Sequence, residues 1–132
     1  MAMKFGDSTL TKVVDECFKP AVKKTGFDLQ TLLEQPKTGS IDDPIRIEIR
    51  NSKFLITDLT HSNNGAYWEA GFAEELGKIV IYTCAWKKEK THFDTNHHQT
   101  IIWDENELDR AGEALKAMIR ASLPEEAIMS DE

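Results

Sequence analysis

Hydrophobic and polar residues alternate along the chain in blocks that predict helices and strands in turn. Apolar side chains within residues 10–22 recur at spacings of three and one, which is the stripe of an amphipathic helix. Asp7 or Ser8 is placed to cap this helix, and Gly26 to end it. Pro20 lies inside the stripe and predicts a kink, because proline lacks the N–H that a helix interior needs.

A predicted strand and then an ambiguous segment follow the first helix. Residues 27–33 are predicted to form the strand. Residues 45–50 alternate strictly between apolar and charged side chains, which favours a strand, but Asp42, Asp43 and Pro44 before them are typical of a helix start. We predict a short helix here, because two parallel strands need a crossover between them.

The second half of the chain continues the alternation of strands and helices. Short apolar runs predict buried strands over residues 54–58, 79–84 and 100–103. A helix is predicted over residues 65–76 with Gly77 as its stop, and a last helix is predicted after Asp104 as its cap, with Pro124 just beyond its end. Strands that alternate with helices predict an α/β protein with a mostly parallel sheet covered on both faces.

The two ends of the chain differ from this regular pattern. Only Ala2 to Phe5 precede the first helix, so the first strand is either short or incomplete, and both alternatives stay open. We predict one domain over residues 1–124. Residues 125–132 are acidic and are expected to form a frayed tail.

Composition and charge exclude several classes of protein. The formal net charge of −7, without a basic stripe, argues against a nucleic-acid partner. Cys17 and Cys84 fall in apolar runs, and we expect free core thiols in a reducing cytoplasm. No apolar run is long enough to cross a membrane, so no membrane partner is expected. His61, His97 and His98 lack a supporting cysteine pair, so no metal site is predicted and no cofactor is expected.

The segment around residues 54–84 carries the candidate chemistry. Asp58 ends a predicted strand, and Glu69 lies near the start of the helix that follows it. The strand, helix and next strand form a βαβ unit. Such a unit brings both carboxylates to the carboxyl edge of a parallel sheet, where these sheets bind ligands.

The helix in this unit also carries a family signature. Residues 65–73, Gly-Ala-Tyr-Trp-Glu-Ala-Gly-Phe-Ala, resemble the Gly-x-x-x-Glu-x-Gly-x-Ala motif of the nucleoside 2-deoxyribosyltransferase superfamily. Three further segments are similar to those of a bacterial branch of that superfamily, namely residues 58–60, 76–81 and 92–94. Together with matches in the first strand and first helix, the resemblance spans nearly the whole chain.

The resemblance implies both a fold and an activity. The fold would be a five-stranded, doubly wound sheet of the flavodoxin-like or Rossmann-like kind. The activity would be cleavage of the N-glycosidic bond between a base and a (deoxy)ribose, with the sugar passed to another base or to water. Glu69 matches the nucleophile, and Asp58 matches the carboxylate that handles the base or sugar. Family members usually form dimers or larger oligomers, so a homo-oligomer is expected.

One departure from the family pattern bears on the activity. Asn63 stands where the transferases have Asp, and Ala66 stands where they have Thr. This argues against ordinary 2-deoxynucleoside transfer, and it leaves open hydrolysis or a substrate with its own phosphate.

The candidate substrate-binding residues lie in three loops and one helix. Gly6, Asp7 and Ser8 open the first helix, where N–H groups and hydroxyls suit a 5′-hydroxyl or a phosphate. The others flank the nucleophile or follow the next strand: Asn63, Asn64, Gly65, Tyr67, Trp68, His92 and Asp94. Each has a structural alternative, because strand-end acids often cap turns and aromatic side chains most often pack in cores or dimer contacts.

Three functions are carried forward. The first is an N-glycoside hydrolase or (deoxy)ribosyltransferase acting on a nucleoside or nucleotide. The second is a NAD-cleaving domain, which resembles the Toll/interleukin-1 receptor class in its single catalytic Glu on a helix. The third is a non-catalytic nucleotide-binding or sensing module of a larger protein.

Overall fold

The computed structural model describes residues 1–3, 7–31, 42–61, 64–86 and 100–131. Its helices are α1 (Ser8–Val13), α2 (Lys19–Lys24), α3 (Asp42–Asn51), α4 (Asn64–Glu75) and α5 (Leu108–Ser122), with a π-helical segment over Val14–Phe18 between α1 and α2. Its strands are β1 (Phe54–Asp58), β2 (Ile79–Ala85) and β3 (Thr100–Trp103). The ambiguous segment before β1 is therefore helical, as predicted.

The three strands form one parallel sheet in the order β1-β2-β3. Ala2 adds a single parallel bridge to Thr57 on the free side of β1. Because the strands are parallel, their carboxyl ends at Asp58, Ala85 and Trp103 lie at the same edge.

The strand predicted over residues 27–33 is not borne out within residues 27–31, which carry no strand pairing. The N-terminal amine of Met1 donates to the Gln30 carbonyl oxygen at 2.6 Å. This contact joins the segment to the start of the chain, but residues 27–31 carry no strand assignment. Residues 32 and 33 lie outside the described residues.

Helices cover both faces of the sheet, because consecutive strand residues point to opposite sides. Ile56 packs in a core cluster with side chains of α1, α2 and α5, whereas the adjacent Leu55 packs with Ile49 of α3 and with alanines of α4. The alanines of α4 are buried, which allows the helix to lie close against the sheet. Gly77 ends α4 as predicted, with a φ of 75° that L-residues adopt only at a cost of about 1 kcal/mol or more.

The first helix is capped as predicted and is interrupted before Pro20. The Asp7 carboxylate accepts the Leu10 N–H at 3.0 Å. The π-helical segment Val14–Phe18 immediately precedes the turn that contains Pro20. Since proline offers no N–H and its ring crowds the preceding turn, a wider turn relieves the conflict.

The predicted cap of the last helix is wrong. Asp104 accepts the N–H of Asn106 at 2.9 Å and so closes a short turn before the helix. α5 begins only at Leu108, with Glu107 at the cap position and no side-chain cap bond. An Asp after a strand satisfies a nearby N–H equally well in a turn, so its presence alone did not fix the helix start.

The acidic C-terminal segment, expected to be a frayed tail, is held against the helices up to Asp131. The Ile128 N–H donates to the Thr25 carbonyl at 2.8 Å, and the Ile128 side chain lies beside Gly26. Lys116 and Arg120 donate to the Asp131 carboxylate at 2.6 and 2.7 Å. The charges of α5 therefore anchor a segment whose composition alone suggests disorder.

This anchor is expected to release in acid. The hydrogen bond from Lys116, followed by that from Arg120, lowers the pKa of Asp131 to about 2. A free Asp has a pKa of about 3.9, so the contribution of this carboxylate is complete above that pH and is lost as the pH falls through about 2. The Ile128 amide resonance should therefore shift between pH 4 and pH 2. In Asp131→Asn this titration should be absent, and an identical shift in the variant would contradict the assignment.

None of the helices in the described ranges is long and apolar enough to span a membrane.

Candidate functional site

A cavity opens at the carboxyl edge of the sheet. Its volume is about 180 Å³. The start of α1, the turn after β1, the end of β2 and the turn after β3 supply its walls, with lining residues Asp7, Thr9, Thr60, His61, Ala85, Trp86, Trp103, Asp104, Glu105 and Asn106. Four segments that are distant in sequence thus meet where a parallel sheet is expected to bind its ligand.

Asp58 lies beneath this cavity and is only 2% exposed. Its Oδ2 accepts the Thr83 hydroxyl at 2.7 Å and the Trp103 indole N–H at 2.9 Å, and its Oδ1 accepts the Thr60 N–H at 3.0 Å. The carboxylate therefore ties together the ends of all three strands. In this arrangement it shapes the floor of the cavity.

Thr60 extends the same network to the second strand. Its hydroxyl accepts the Ala85 N–H at 3.0 Å. Both the backbone and the side chain of Thr60 are thereby fixed, and the residue after it, His61, faces the cavity from a constrained turn.

Asp7 and His61 form a close pair across the cavity wall. His61 Nε2 lies 2.5 Å from Asp7 Oδ2, and their side chains are 25% and 24% exposed. The hydrogen bond from the Leu10 N–H lowers the pKa of Asp7. Partial burial acts in the opposite direction, and the charge of His61 lowers the pKa further. A carboxylate that stays ionised beside an imidazole is an arrangement suited to proton transfer.

Two indoles border the cavity in different ways. Trp103 is 4% exposed, and its N–H is taken by Asp58. Trp86 is 49% exposed, so a large aromatic surface is open to a ligand at the mouth of the cavity. An exposed indole beside a polar cavity suits a planar heterocycle.

Glu69 is half-buried on α4, but it is not among the residues that line this cavity. Its neighbour Trp68 stacks on Phe72 with ring centroids 5.6 Å apart, and Arg46 of α3 lies over the Trp68 ring at 5.6 Å. Trp68 therefore contributes to the packing between α3 and α4, which is the structural alternative considered for it. Tyr67 is exposed at 36%.

Some of the remaining predicted site residues lie within the described ranges and others lie outside them. Ser8 is the exposed first residue of α1, and Asn64 and Gly65 form the start of α4. Four others lie outside the described residues: Gly6, Asn63, His92 and Asp94. Of the predicted site residues that the structure describes, Asp7 lines the cavity, and Asp58 is hydrogen-bonded to two of its lining residues, Thr60 and Trp103.

Sequence reasoning missed most of the cavity wall. His61 was considered as a zinc ligand and set aside, and Trp86 was not assigned to the site, whereas both line the cavity. The available signal was position: each lies one to three residues beyond a strand, and strand ends of a parallel sheet meet at one edge.

A larger cavity, about 560 Å³, lies along β3 and α5. Its walls are mostly apolar, with Ile102, Ala114 and Met118 among them. The smaller cavity is the better candidate for chemistry, because titratable groups converge there from separate elements. Within the part of the chain that the structure describes, no group of three or more His, Cys, Asp or Glu could hold a metal ion.

Both cysteines are buried, and neither forms a disulfide bond. Burial, followed by the charge of Asp109, raises the pKa of Cys17 to about 11, and its thiol donates to the Leu108 carbonyl at 3.2 Å. A thiol with so little thiolate is a poor nucleophile, so Cys17 belongs to the core and not to a reactive site.

Comparison with known proteins adds no assignment, since no family model, no curated protein and no solved structure matches this chain.

Proposed function

We propose that the protein cleaves the N-glycosidic bond of a nucleoside or nucleotide, or transfers its (deoxy)ribosyl group, with Glu69 as nucleophile. The observation that carries the proposal is the cavity at the carboxyl edge of the parallel strands. There an ionised Asp7, an imidazole and an exposed indole converge. These groups suit a planar, hydrogen-bonding base, and α4 with its half-buried Glu69 starts from the same edge.

The chemistry requires few protein groups. As the bond between C1′ and the base nitrogen breaks, positive charge develops on the sugar, and a carboxylate against C1′ stabilises it or forms a sugar ester. The Glu69 side chain would fill this role. The departing base needs a proton or hydrogen bonds, which groups of the cavity would supply.

The finer fold belongs to the same proposal. A five-stranded, doubly wound sheet would need two strands in addition to β1, β2 and β3. The parallel bridge of Ala2 to Thr57, on the side of β1 that faces away from β2, supports one of them. We also propose a homodimer or larger homo-oligomer, consistent with the exposed Trp86 and Ile102 near the edge strand β3. The two buried cysteines, which form no disulfide bond, support a reducing compartment such as the cytoplasm.

A second candidate is a non-catalytic nucleotide-binding module. Its support is the state of Asp58, which is 2% exposed and already accepts three hydrogen bonds. A carboxylate so occupied has a structural role and does not reach a substrate in this conformation. In that case the cavity would bind a ligand without turning it over.

A chromatographic turnover screen tests the proposal. Ribonucleosides, deoxynucleosides, their 5′-monophosphates and NAD are each incubated with the protein, with and without an acceptor base. Release of free base is expected, and its dependence on the acceptor separates transfer from hydrolysis. Nicotinamide released from NAD alone would establish the NAD-cleaving alternative. Saturable binding of a nucleotide without any product would establish the binding module instead.

A further inference from the structure

We propose that His61, oriented by Asp7, is the group that protonates the departing base, an inference that rests on the proposed N-glycosidic chemistry. The pair bridges two separate elements, the start of α1 and the turn after β1. Both side chains line the same cavity and are about three-quarters shielded from solvent. A solvent-shielded acid at this place would protonate a base that enters the cavity.

The geometry leaves one ring nitrogen of His61 for a ligand. Nε2 is taken by Asp7 Oδ2. Among the described residues, no contact occupies Nδ1. With Nε2–H fixed on a carboxylate, the imidazole has a defined orientation, and Nδ1 alone gives or takes a proton at the substrate.

The wall of the cavity around His61 carries negative charge. The carboxylates that line the cavity with it are Asp7 from α1 and Asp104 and Glu105 from the turn after β3. None of the ten lining residues is Lys or Arg. His61 therefore faces the cavity among carboxylates, and no basic side chain belongs to the lining that the structure describes.

The volume of the cavity is large enough to enclose part of a small-molecule ligand but not all of it. Its volume of about 180 Å³ is below the roughly 300–1,000 Å³ of pockets that enclose a whole small molecule. The exposed face of Trp86 offers a stacking surface at the rim, and His61 lies in the wall. These features assign the cavity to the base, with the sugar lying outside it towards α4.

The step balances in atoms and charge. A Glu69 oxygen forms a bond to C1′ as the bond between C1′ and the base nitrogen breaks, and the electron pair of that bond moves onto the base. The base receives the Nδ1 proton of the imidazolium and leaves neutral. The neutral imidazole keeps its Nε2–H on Asp7. Water, or an acceptor base, then attacks C1′ of the sugar ester, Nδ1 takes the proton that is released, and Glu69 is regenerated.

Asp58 is a poor alternative for this role. All of its contacts are with donors, namely the Thr60 N–H, the Thr83 hydroxyl and the Trp103 N–H. A carboxylate whose two oxygens already accept bonds from buried donors of the protein is not placed to give a proton to a base.

The inference is tested by comparing an ordinary nucleoside with one whose base can leave without receiving a proton. The substrate pair is a purine nucleoside and its N7-methyl derivative, whose base is already cationic, or, for a pyrimidine-specific enzyme, uridine and 5-nitrouridine. His61→Gln should lower kcat/KM for the ordinary nucleoside by about 10²–10⁴-fold and change that for the activated one by only about threefold. Glu69→Gln should lower both.

Each outcome of this comparison decides the matter. Equal loss on both substrates, or no loss on either, overturns the assignment of His61 while the N-glycosidic function stands. A wild-type protein that cleaves neither substrate overturns the function and the inference together. Circular dichroism and the thermal midpoint of each variant confirm that it is folded.

Asp7 is a positioning residue, and its test is the dependence on the leaving group. Asn caps a helix about as well as Asp, so Asp7→Asn should keep the bond to the Leu10 N–H while it removes the carboxylate beside His61. Its kcat/KM for the ordinary nucleoside should fall by at least about tenfold, whereas that for the activated nucleoside should stay within about threefold of wild type. Asp15→Asn makes the same change at a side chain that is 57% exposed and should leave both values in place. An equal effect of Asp7→Asn on the two substrates overturns the role of Asp7.

Discussion

Glu69→Gln is expected to lower kcat/KM for N-glycosidic cleavage by at least about 10³-fold, which corresponds to about 4 kcal/mol of transition-state stabilisation. The substitution keeps the size of the side chain and removes its charge. A neutral amide neither attacks C1′ nor balances the positive charge that develops on the sugar. Because Gln has nearly the same volume and helix propensity as Glu, we expect no comparable change in folding stability.

Glu75→Gln is the matched control for this prediction. It makes the same chemical change in the same helix at an exposed position. Its kcat/KM should stay within about twofold of wild type, since surface changes away from special features are usually small. If Glu69→Gln retained turnover within tenfold of wild type, Glu69 would not be the nucleophile.

A trapped intermediate gives a second, independent measurement. A 2-fluoro-sugar nucleoside slows both chemical steps because fluorine disfavours the positively charged transition state. With a good leaving base, the wild-type protein should gain the mass of one fluorosugar, and peptide mapping should place it on α4. Absence of the adduct from a protein that turns over substrate would favour direct attack by water, with Glu69 acting only through its charge.

One element was predicted correctly although its signals conflicted. The alternation of residues 45–50 favours a strand, whereas Asp42, Asp43 and Pro44 before them are typical of a helix start. The structure has a helix over Asp42–Asn51. The helix-start signal therefore outweighed the alternation. Gly77 was equally readable, since a positive φ at a helix end is a local property of glycine.

The site was harder to predict, because it depends on contacts between distant segments. Helices α1, α2 and α3 and strand β1 lie between Asp7 and His61 in the sequence, and neither residue type alone indicates the pair. The contacts of residues 125–131 were hard to predict for a related reason. Their acidity is a local signal for disorder, whereas the side chains that bind Asp131 are Lys116 and Arg120 on the preceding helix. Contacts between residues that are distant in sequence can be identified only once the order of the strands in the sheet is known.

Asp58→Ala is expected to reduce the free energy of unfolding by about 3–5 kcal/mol, the largest stability effect that we predict. The carboxylate is 2% exposed and accepts from the Thr60 N–H, the Thr83 hydroxyl and the Trp103 indole N–H. Its removal leaves these donors buried without their acceptor and opens space beneath the cavity. Urea unfolding followed by circular dichroism measures the loss.

Asp58→Asn should reduce the free energy of unfolding by less, about 1–3 kcal/mol. The reason lies in the three groups that donate hydrogen bonds to the carboxylate. If the amide oxygen faces the Trp103 N–H, its NH₂ group meets the Thr60 N–H, and two donors oppose each other. If the oxygen faces Thr60, the NH₂ group meets Trp103, which also only donates, although the Thr83 hydroxyl is free to rotate and accept. In either orientation one bond of the network is lost.

Thr57→Val at the neighbouring position is the control. The Thr57 side chain is fully buried, and its hydroxyl has no hydrogen-bond partner among the described residues. Valine has nearly the same shape and removes a buried polar group that gains nothing from its surroundings, so stability should stay within about 1 kcal/mol of wild type or rise. Two adjacent buried positions of β1 should therefore respond in opposite ways.

The Asp58 variants also separate the structural interpretation of this carboxylate from the catalytic one. If Asp58→Asn lost turnover in proportion to its loss of folded protein, Asp58 would act through the fold of the cavity floor. If it stayed folded, with less than 1 kcal/mol of destabilisation, and still lost turnover, Asp58 would have to leave its present contacts and reach the substrate. The three hydrogen bonds that it accepts favour the first result, because breaking them would leave Trp103 without an acceptor at the wall of the site.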